Sequence, residues 1–320
     1  STSSQATDSL SERIERAFRK PFDVAGQSLC VTASVGIAAA PEHGATADDL
    51  MRHADIALYQ AKSLGRNRVT VFTRDMARQV EERRAIELDL RGAIERNELR
   101  LAYQPLISCG TGSIAGLEAL LRWRHPVRGE VPPGQFIPIA EDIGLMDDLT
   151  FSVLRTACRD SRLWPSNLLL SLNLSPAQIQ SRNLAHRILS VLGEMGFDPC
   201  RLQIEVTENA LVKNLASARY ALRTLAGAGV QLALDDYGTG YSSLYHLREL
   251  RFDKVKIDRS FTVAMQKRDV AKMIEAVLAM CASLNVKVTA EGIENRFQAA
   301  WYSVHGCDEG QGHFFAEAMP

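Results

Sequence analysis

Apolar residues along the chain come in short runs, each closed by a polar side chain and followed by an amphipathic stretch. From residue 100 onward this pattern predicts eight strands, at 100–107, 114–123, 168–175, 202–208, 230–236, 252–258, 286–291 and 307–315. The segments between them, such as 148–163 and 270–284, carry apolar residues at helical spacing. Ser175-Pro176-x-Gln178 marks one helix start, with Ser as cap and Pro in the first turn. Eight strands alternating with helices over roughly 240 residues predict an α/β fold, a (β/α)8 TIM-like barrel. Only a short turn, 109–113, separates the first two strands, so the first strand is expected to run antiparallel.

The upstream part is patterned differently. Residues 10–18 read as the end of a helix, and 28–39 alternate and are β-rich. Thr46 opens a helix with Asp49 three residues on, a capping pattern. Leu50, Ala54, Ala57, Leu58 and Ala61 form its apolar stripe, and Gly65 sits where a C-terminal cap glycine belongs. A short strand at 68–72 follows, then a charged helical connector at 76–99. Two domains are therefore expected, 1–75 and 76–320.

The most informative stretch is Val230 to Gly240, VQLALDDYGTG. Its first half is apolar on both faces, as in a strand of a parallel sheet. It ends in two adjacent carboxylates, Asp235 and Asp236, and then Gly238-Thr239-Gly240. Adjacent carboxylates repel, and divalent cations relieve that repulsion. Taken alone the stretch leaves two alternatives open, a metal site or a solvated turn. The other strand ends change the balance. They carry Glu118, Asn173, Glu205, Lys256, Asp258, Glu291 and Gln311. In a barrel such ends converge on one face, where chemistry is done. Carboxylates, an amide and a lysine gathered there without a cation would carry a large mutual repulsion.

Composition narrows the chemistry. The 320 residues hold a formal net charge of −1, which gives no bulk case for binding a nucleic-acid polymer or a membrane surface. No apolar run approaches the roughly 18 residues that cross a bilayer, and no signal peptide is visible. The six cysteines are scattered without a CxxC pair, as in a reduced, cytoplasmic protein. The seven histidines show no HxxxH or HxH spacing, so a bound metal would be held by carboxylate and amide oxygens. That favours Mg²⁺, Mn²⁺ or Ca²⁺ over zinc.

Two resemblances follow from the motifs. TASVGIA (32–38) and ADIALYQAKSLGRNRV (54–69) resemble the C-terminal half of a GGDEF (diguanylate cyclase) domain. The signature hairpin that carries that family's metal and guanine contacts is absent, so an incomplete α/β remnant without cyclase activity is expected. Lys62 and Arg66 match positions that contact phosphate in the family, but the rest of that site is missing. From about residue 80 the chain resembles the EAL domain family. The motifs are Tyr103-Gln104-Pro105, Glu118-Ala119-Leu120, Phe136-Ile137-Pro138 with Ala140-Glu141, Asn173-Leu174-Ser175 and Glu205-Val206-Thr207-Glu208. They continue with 235–243, Lys256-Ile257-Asp258, Ala290-Glu291-Gly292 and Gln311-Gly312.

The EAL resemblance implies a phosphodiesterase that opens cyclic di-GMP, a bacterial second messenger, to linear pGpG with Mg²⁺ or Mn²⁺ in a two-metal site. Ca²⁺ is expected to inhibit. By the same resemblance Glu118, Asn173, Glu205 and Asp235 hold the first metal, and Asp235 bridges to a second that Asp236 also binds. Lys256 orients the attacking water, and Glu291 is the family's candidate general base. Gln104, Leu120, Arg122, Asp258, Glu294 and Gln311 are the implied substrate contacts. Glu208 resembles the residue that anchors the loop after Asp236. That loop, 237–247, and its following helix resemble a homodimer surface. The resemblance implies a cytoplasmic domain and leaves open a membrane anchor upstream. Three departures are Tyr237 for the usual Phe, His313 for a common Tyr, and Glu317-Ala318 for Lys-Pro. None removes a metal ligand. A silent cyclic di-GMP receptor is the alternative, but such members usually lack one of these ligands.

Overall fold

The structure, a computed structural model, describes all residues except 1, 214, 240–246 and 248. It divides into two compact units, Ser1–Asp89 and Leu90–Pro320, and the division falls inside the helix Arg74–Ala93.

The first unit is a small α/β piece. Helix Thr2–Phe18 is followed by an antiparallel hairpin, Phe22–Val24 with Gln27–Leu29. Ala25 and Gly26 both have positive φ at its turn, the conformation that matches strand twist. Strands Val35–Ile37 and Val69–Val71 pair in parallel. Helix Ala47–Ser63 lies on them, and Thr46 caps it by accepting from the Asp49 N–H at 3.2 Å. Gly36 permits the close approach, because a Cβ there would lie 2.2 Å from the Ala54 carbonyl oxygen. The hairpin leaves Phe22, Val24 and Leu29 exposed, and Val31 just after it is exposed as well.

The second unit is the expected barrel. Its strands are β1 (Leu99–Ser108), β2 (Ile114–His125), β3 (Leu169–Leu174) and β4 (Leu202–Thr207), then β5 (Gln231–Tyr237), β6 (Lys254–Ile257), β7 (Lys287–Ala290) and β8 (Glu309–Gly310). β2 through β8 run parallel in order, and β1 closes the ring by antiparallel pairing with both β2 and β8. A short edge strand, Gly129–Val131, pairs with the end of β2 and has no counterpart in the hydrophobic pattern.

The strands alternate as period two requires. Leu170, Leu172 and Leu174, Leu202, Ile204 and Val206, and Leu232 and Leu234 join the apolar core with the surrounding helices. Helix Met146–Asp160 buries Leu149, Leu154 and Ala157, and helix Arg268–Ser283 buries Ile274, Leu278 and Cys281. The intervening strand residues, Ser171 and Asn173, Gln203 and Glu205, Asp235, Lys254 and Lys256, line the other side. Most barrels of this kind fill that interior with branched apolar side chains. This one fills it with polar groups.

The eighth strand is shorter than expected, two residues rather than nine. The chain leaves the ladder to wrap Ile293, whose N–H donates to the Gln311 carbonyl and whose carbonyl accepts from the Phe314 N–H. Gly312 makes this possible, since a Cβ there would lie 2.1 Å from the Ile293 carbonyl oxygen. The chain then returns to bond Met319 to Tyr103 on β1.

Candidate active site

Lys256 is the centre of the barrel mouth. It projects from β6 with 1% of its surface exposed. Its ammonium lies 2.6 Å from Glu205, 2.7 Å from Glu291 and 3.5 Å from both Glu118 and Asp235. These four acids come from four different strands or their ends. One cation cannot neutralise them. Asp236 adds a fifth carboxylate, within 4.8 Å of Asp235 and Glu291. Once all five are ionised, five carboxylates against one ammonium leave four negative charges, which two divalent cations would offset.

Backbone geometry explains how two consecutive aspartates share one mouth. Neighbours on a regular strand face opposite ways. Here the β5–β6 register shifts between Leu234 and Tyr237, and Asp236 sits at φ 55°, a left-handed conformation uncommon outside glycine. Strain of this kind is found where function over-determines the backbone. The Asp236 N–H also donates to the Asp235 carboxylate at 3.0 Å.

The electrostatics follow from burial and from the lysine. Burial lowers the Lys256 pKa, but Asp235, Glu118, Glu205 and Glu291 raise it and hold it well above its ordinary value. Burial pushes Glu118 up, yet the Lys256 charge and hydrogen bonds from Gln311 and Asn173 outweigh it, leaving it below the usual carboxylate value. Glu205 is raised by burial to about 7 despite Lys256, with Glu118 and Asp235 adding to the rise. Glu291 is raised to about 8, again by burial first. Asp236 is raised by burial and by Asp235 and Asp258. Acids held this high bind protons in place of cations.

Amides complete the ring. The Asn173 amide donates to Glu118 at 2.6 Å. The Gln311 amide donates to Glu118 at 2.7 Å and to the Gln104 carbonyl at 3.0 Å. The Gln311 side-chain carbonyl oxygen is buried without a hydrogen-bond partner. Gln104, Glu118, Leu120, Glu291, Glu294 and Gln311 line a cavity of about 200 Å³, with His313 also on its wall. Leu120 also lines a second cavity of about 290 Å³, with Arg122, Pro133, Ile137, Asn173 and Thr207.

Asp258 caps helix Arg259–Ala264, accepting from the Ser260 N–H at 3.0 Å and from its hydroxyl. Glu208 is buried at the start of helix Glu208–Lys213 and lies close enough to raise the Tyr237 pKa, after burial and Cys281. Most of the loop it was expected to anchor, and with it the expected dimer surface at 237–247, lies outside the described residues. Sequence reasoning passed over Gln203 and Ser171, one rung deeper in the barrel. Their only signal was a polar residue at an inward position of an otherwise apolar strand.

Among the described residues the donor set suits a hard divalent cation: carboxylate and amide oxygens, no thiol or imidazole in the ring around Lys256, and an excess of negative charge. Among the described residues no helix is long and apolar enough to cross a membrane.

Comparison with known proteins agrees with this geometry. A family model described as EAL domain matches residues 87–318. One described as diguanylate cyclase, GGDEF domain, matches residues 1–68. An uncharacterized signaling protein from Caulobacter vibrioides is 43% identical over 301 residues, covering 94% of this chain and 37% of the relative. The cyclic di-GMP phosphodiesterase NbdA of Pseudomonas aeruginosa is 37% identical over 317 residues, covering 97% of this chain and 40% of the relative. A solved structure described as PaMucR phosphodiesterase, c-di-GMP complex, is 37% identical with a TM-score of 0.71, covering 74% of this chain and 98% of that one. The chain spans less than half the length of these two curated relatives.

Proposed function

The chain belongs to the EAL domain family, and from that membership we propose that residues 76–320 hydrolyse cyclic di-GMP to linear pGpG with Mg²⁺ or Mn²⁺. The observation that carries the proposal is the ring of five carboxylates around one buried ammonium, short of positive charge by the equivalent of two divalent ions.

Glu118, Asn173, Glu205 and Asp235 would hold one ion, and Asp235 with Asp236 the second. Bound there, such ions lower the pKa of a water and offset charge on the phosphate. The remaining work falls to the protein. Lys256 donates to the oxygen of the attacking water and orients it. Glu291, 2.7 Å from the Lys256 ammonium, receives the water's proton. Gln104, Gln311 and Glu294, on the wall of the smaller cavity, hold the substrate over Glu118. Arg122 forks onto the second phosphate while the apolar cavity beside Leu120 takes a flat purine. Asp258 and Glu208 act at one remove, Asp258 by starting the helix after β6 and Glu208 by fixing the loop after Asp236.

A homodimer through 237–247 and a cytoplasmic setting belong to the same reading. All six cysteines are free, which suits a reducing compartment.

Turnover of cyclic di-GMP with and without Mg²⁺ or Mn²⁺, followed by product chromatography, tests the proposal. Metal-dependent appearance of pGpG supports it. Tight nucleotide binding without turnover would instead make the domain a receptor, and neither binding nor turnover would refute both readings.

A further inference from the structure

Glu205 has no exposed surface, and both of its oxygens are taken. Oε2 accepts from Lys256 at 2.6 Å. Oε1 accepts from the side-chain amide of Gln203 at 3.1 Å. Gln203 stands two residues earlier on β4, so period two puts both side chains on the inward face. It too has no exposed surface, and its amide nitrogen also donates to the Ser171 hydroxyl. Register explains the contact: Ser171 pairs with Gln203, and Asn173 with Glu205 on the next rung. Two polar rungs are therefore stacked, Asn173 and Glu205 above, Ser171 and Gln203 below. The amide orientation is set by chemistry, since its oxygen turned this way would oppose the Glu205 carboxylate, whereas the Ser171 hydroxyl can donate or accept.

Gln203 touches neither the cavities nor the other acids among the bonds described. A barrel core at this depth is normally apolar, and burying an amide with one unpartnered oxygen costs stability. The contact with Glu205 is what that cost obtains. We propose that Gln203, braced by Ser171, is a positioning residue that holds the Glu205 carboxylate in the orientation that takes a divalent cation. This rests on the reading of Glu205 as a metal-holding residue. Partners of this kind typically change metal affinity by 10–100-fold when removed.

The test is Mn²⁺ binding to the intact, substrate-free protein, read from the electron paramagnetic resonance signal of free Mn²⁺. Wild type should bind, and Glu205→Gln should bind much more weakly; if wild type binds no Mn²⁺, the reading of the whole site falls and this inference with it. Given that binding, Gln203→Met keeps the volume but loses the donor. It should raise the Mn²⁺ dissociation constant by about tenfold. Its KM for cyclic di-GMP at saturating Mn²⁺ should be unchanged. Ser171→Ala, a milder change, should weaken Mn²⁺ in the same direction by a smaller factor. A merely structural role would lower the melting temperature equally in EDTA and in Mn²⁺ while leaving the dissociation constant alone. Unchanged Mn²⁺ affinity in Gln203→Met, or in Ser171→Ala should the first variant not fold, overturns the proposal.

Discussion

Replacing Lys256 with methionine removes one charge and leaves shape nearly intact. In the native barrel that charge sits 2.6–3.5 Å from four carboxylates, in a position with 1% exposure. Removing one partner of a buried ion pair costs about 3–5 kcal/mol, because the other charge is left uncompensated. In a unit of this size each kcal/mol moves the melting temperature by about 2–4 °C. A fall of about 10 °C is expected for the metal-free variant at pH 8.5.

The sign with pH is set by the acids. Glu205 and Glu291 already have folded pKa values of about 7 and about 8, above their unfolded value. A group raised in this way stabilises the fold below its unfolded pKa and loses that contribution as pH rises through the folded one. Losing Lys256 raises both acids further, so their protons are kept at pH 5.5 and the deficit shrinks there. It opens as pH climbs through 7 and 8. Mn²⁺ supplies the missing charge, so it should stabilise the variant more than wild type. Thermal unfolding in EDTA and in Mn²⁺ at both pH values measures all of this. A deficit equal at the two pH values, or equal stabilisation of both proteins by Mn²⁺, would refute the electrostatic account. Turnover should fall mainly in kcat, because the attacking water is the proposed partner of Lys256.

Further outcomes follow from the same geometry. Glu118→Ala removes a proposed metal ligand and the shared acceptor of Asn173 and Gln311, so turnover should fall by on the order of a hundredfold or more with the fold intact by circular dichroism. Apparent Mn²⁺ affinity should rise with pH through about 7 to 8, because Glu205 and Glu291 must shed protons to admit the cation; calorimetry showing no pH dependence would count against it. Gly312→Ala puts a Cβ 2.1 Å from the Ile293 carbonyl and must shift the Gln311 segment, so turnover should drop by on the order of tenfold to a hundredfold. Ca²⁺ should bind without supporting turnover in the same assay.

The barrel was legible because each strand is an apolar run with a polar residue at its end, a signal that survives without any view of tertiary contacts. Ser175 and Gln178 form the capping box their spacing predicts. The antiparallel start was legible from a five-residue turn that no crossover helix could fit. Less could be read where backbone departs from period two. The bulge that turns Asp236 inward depends on pairing with β6, which a linear pattern does not contain. The early end of β8 depends on Ile293, eighteen residues before Gln311 in the chain and hydrogen-bonded to it in the fold. Gln203 and Ser171 gave only a faint signal for a related reason: an inward polar residue has meaning only once its neighbour on the next strand is known.

The central claim is that side chains from successive strands form one cation site. Equilibrium dialysis of Mn²⁺ against the intact protein at pH 8.5 tests it most directly. The account predicts two ions per chain in wild type and a clear loss in Glu205→Gln. No bound Mn²⁺, or the same stoichiometry and affinity with and without the Glu205 charge, would contradict it.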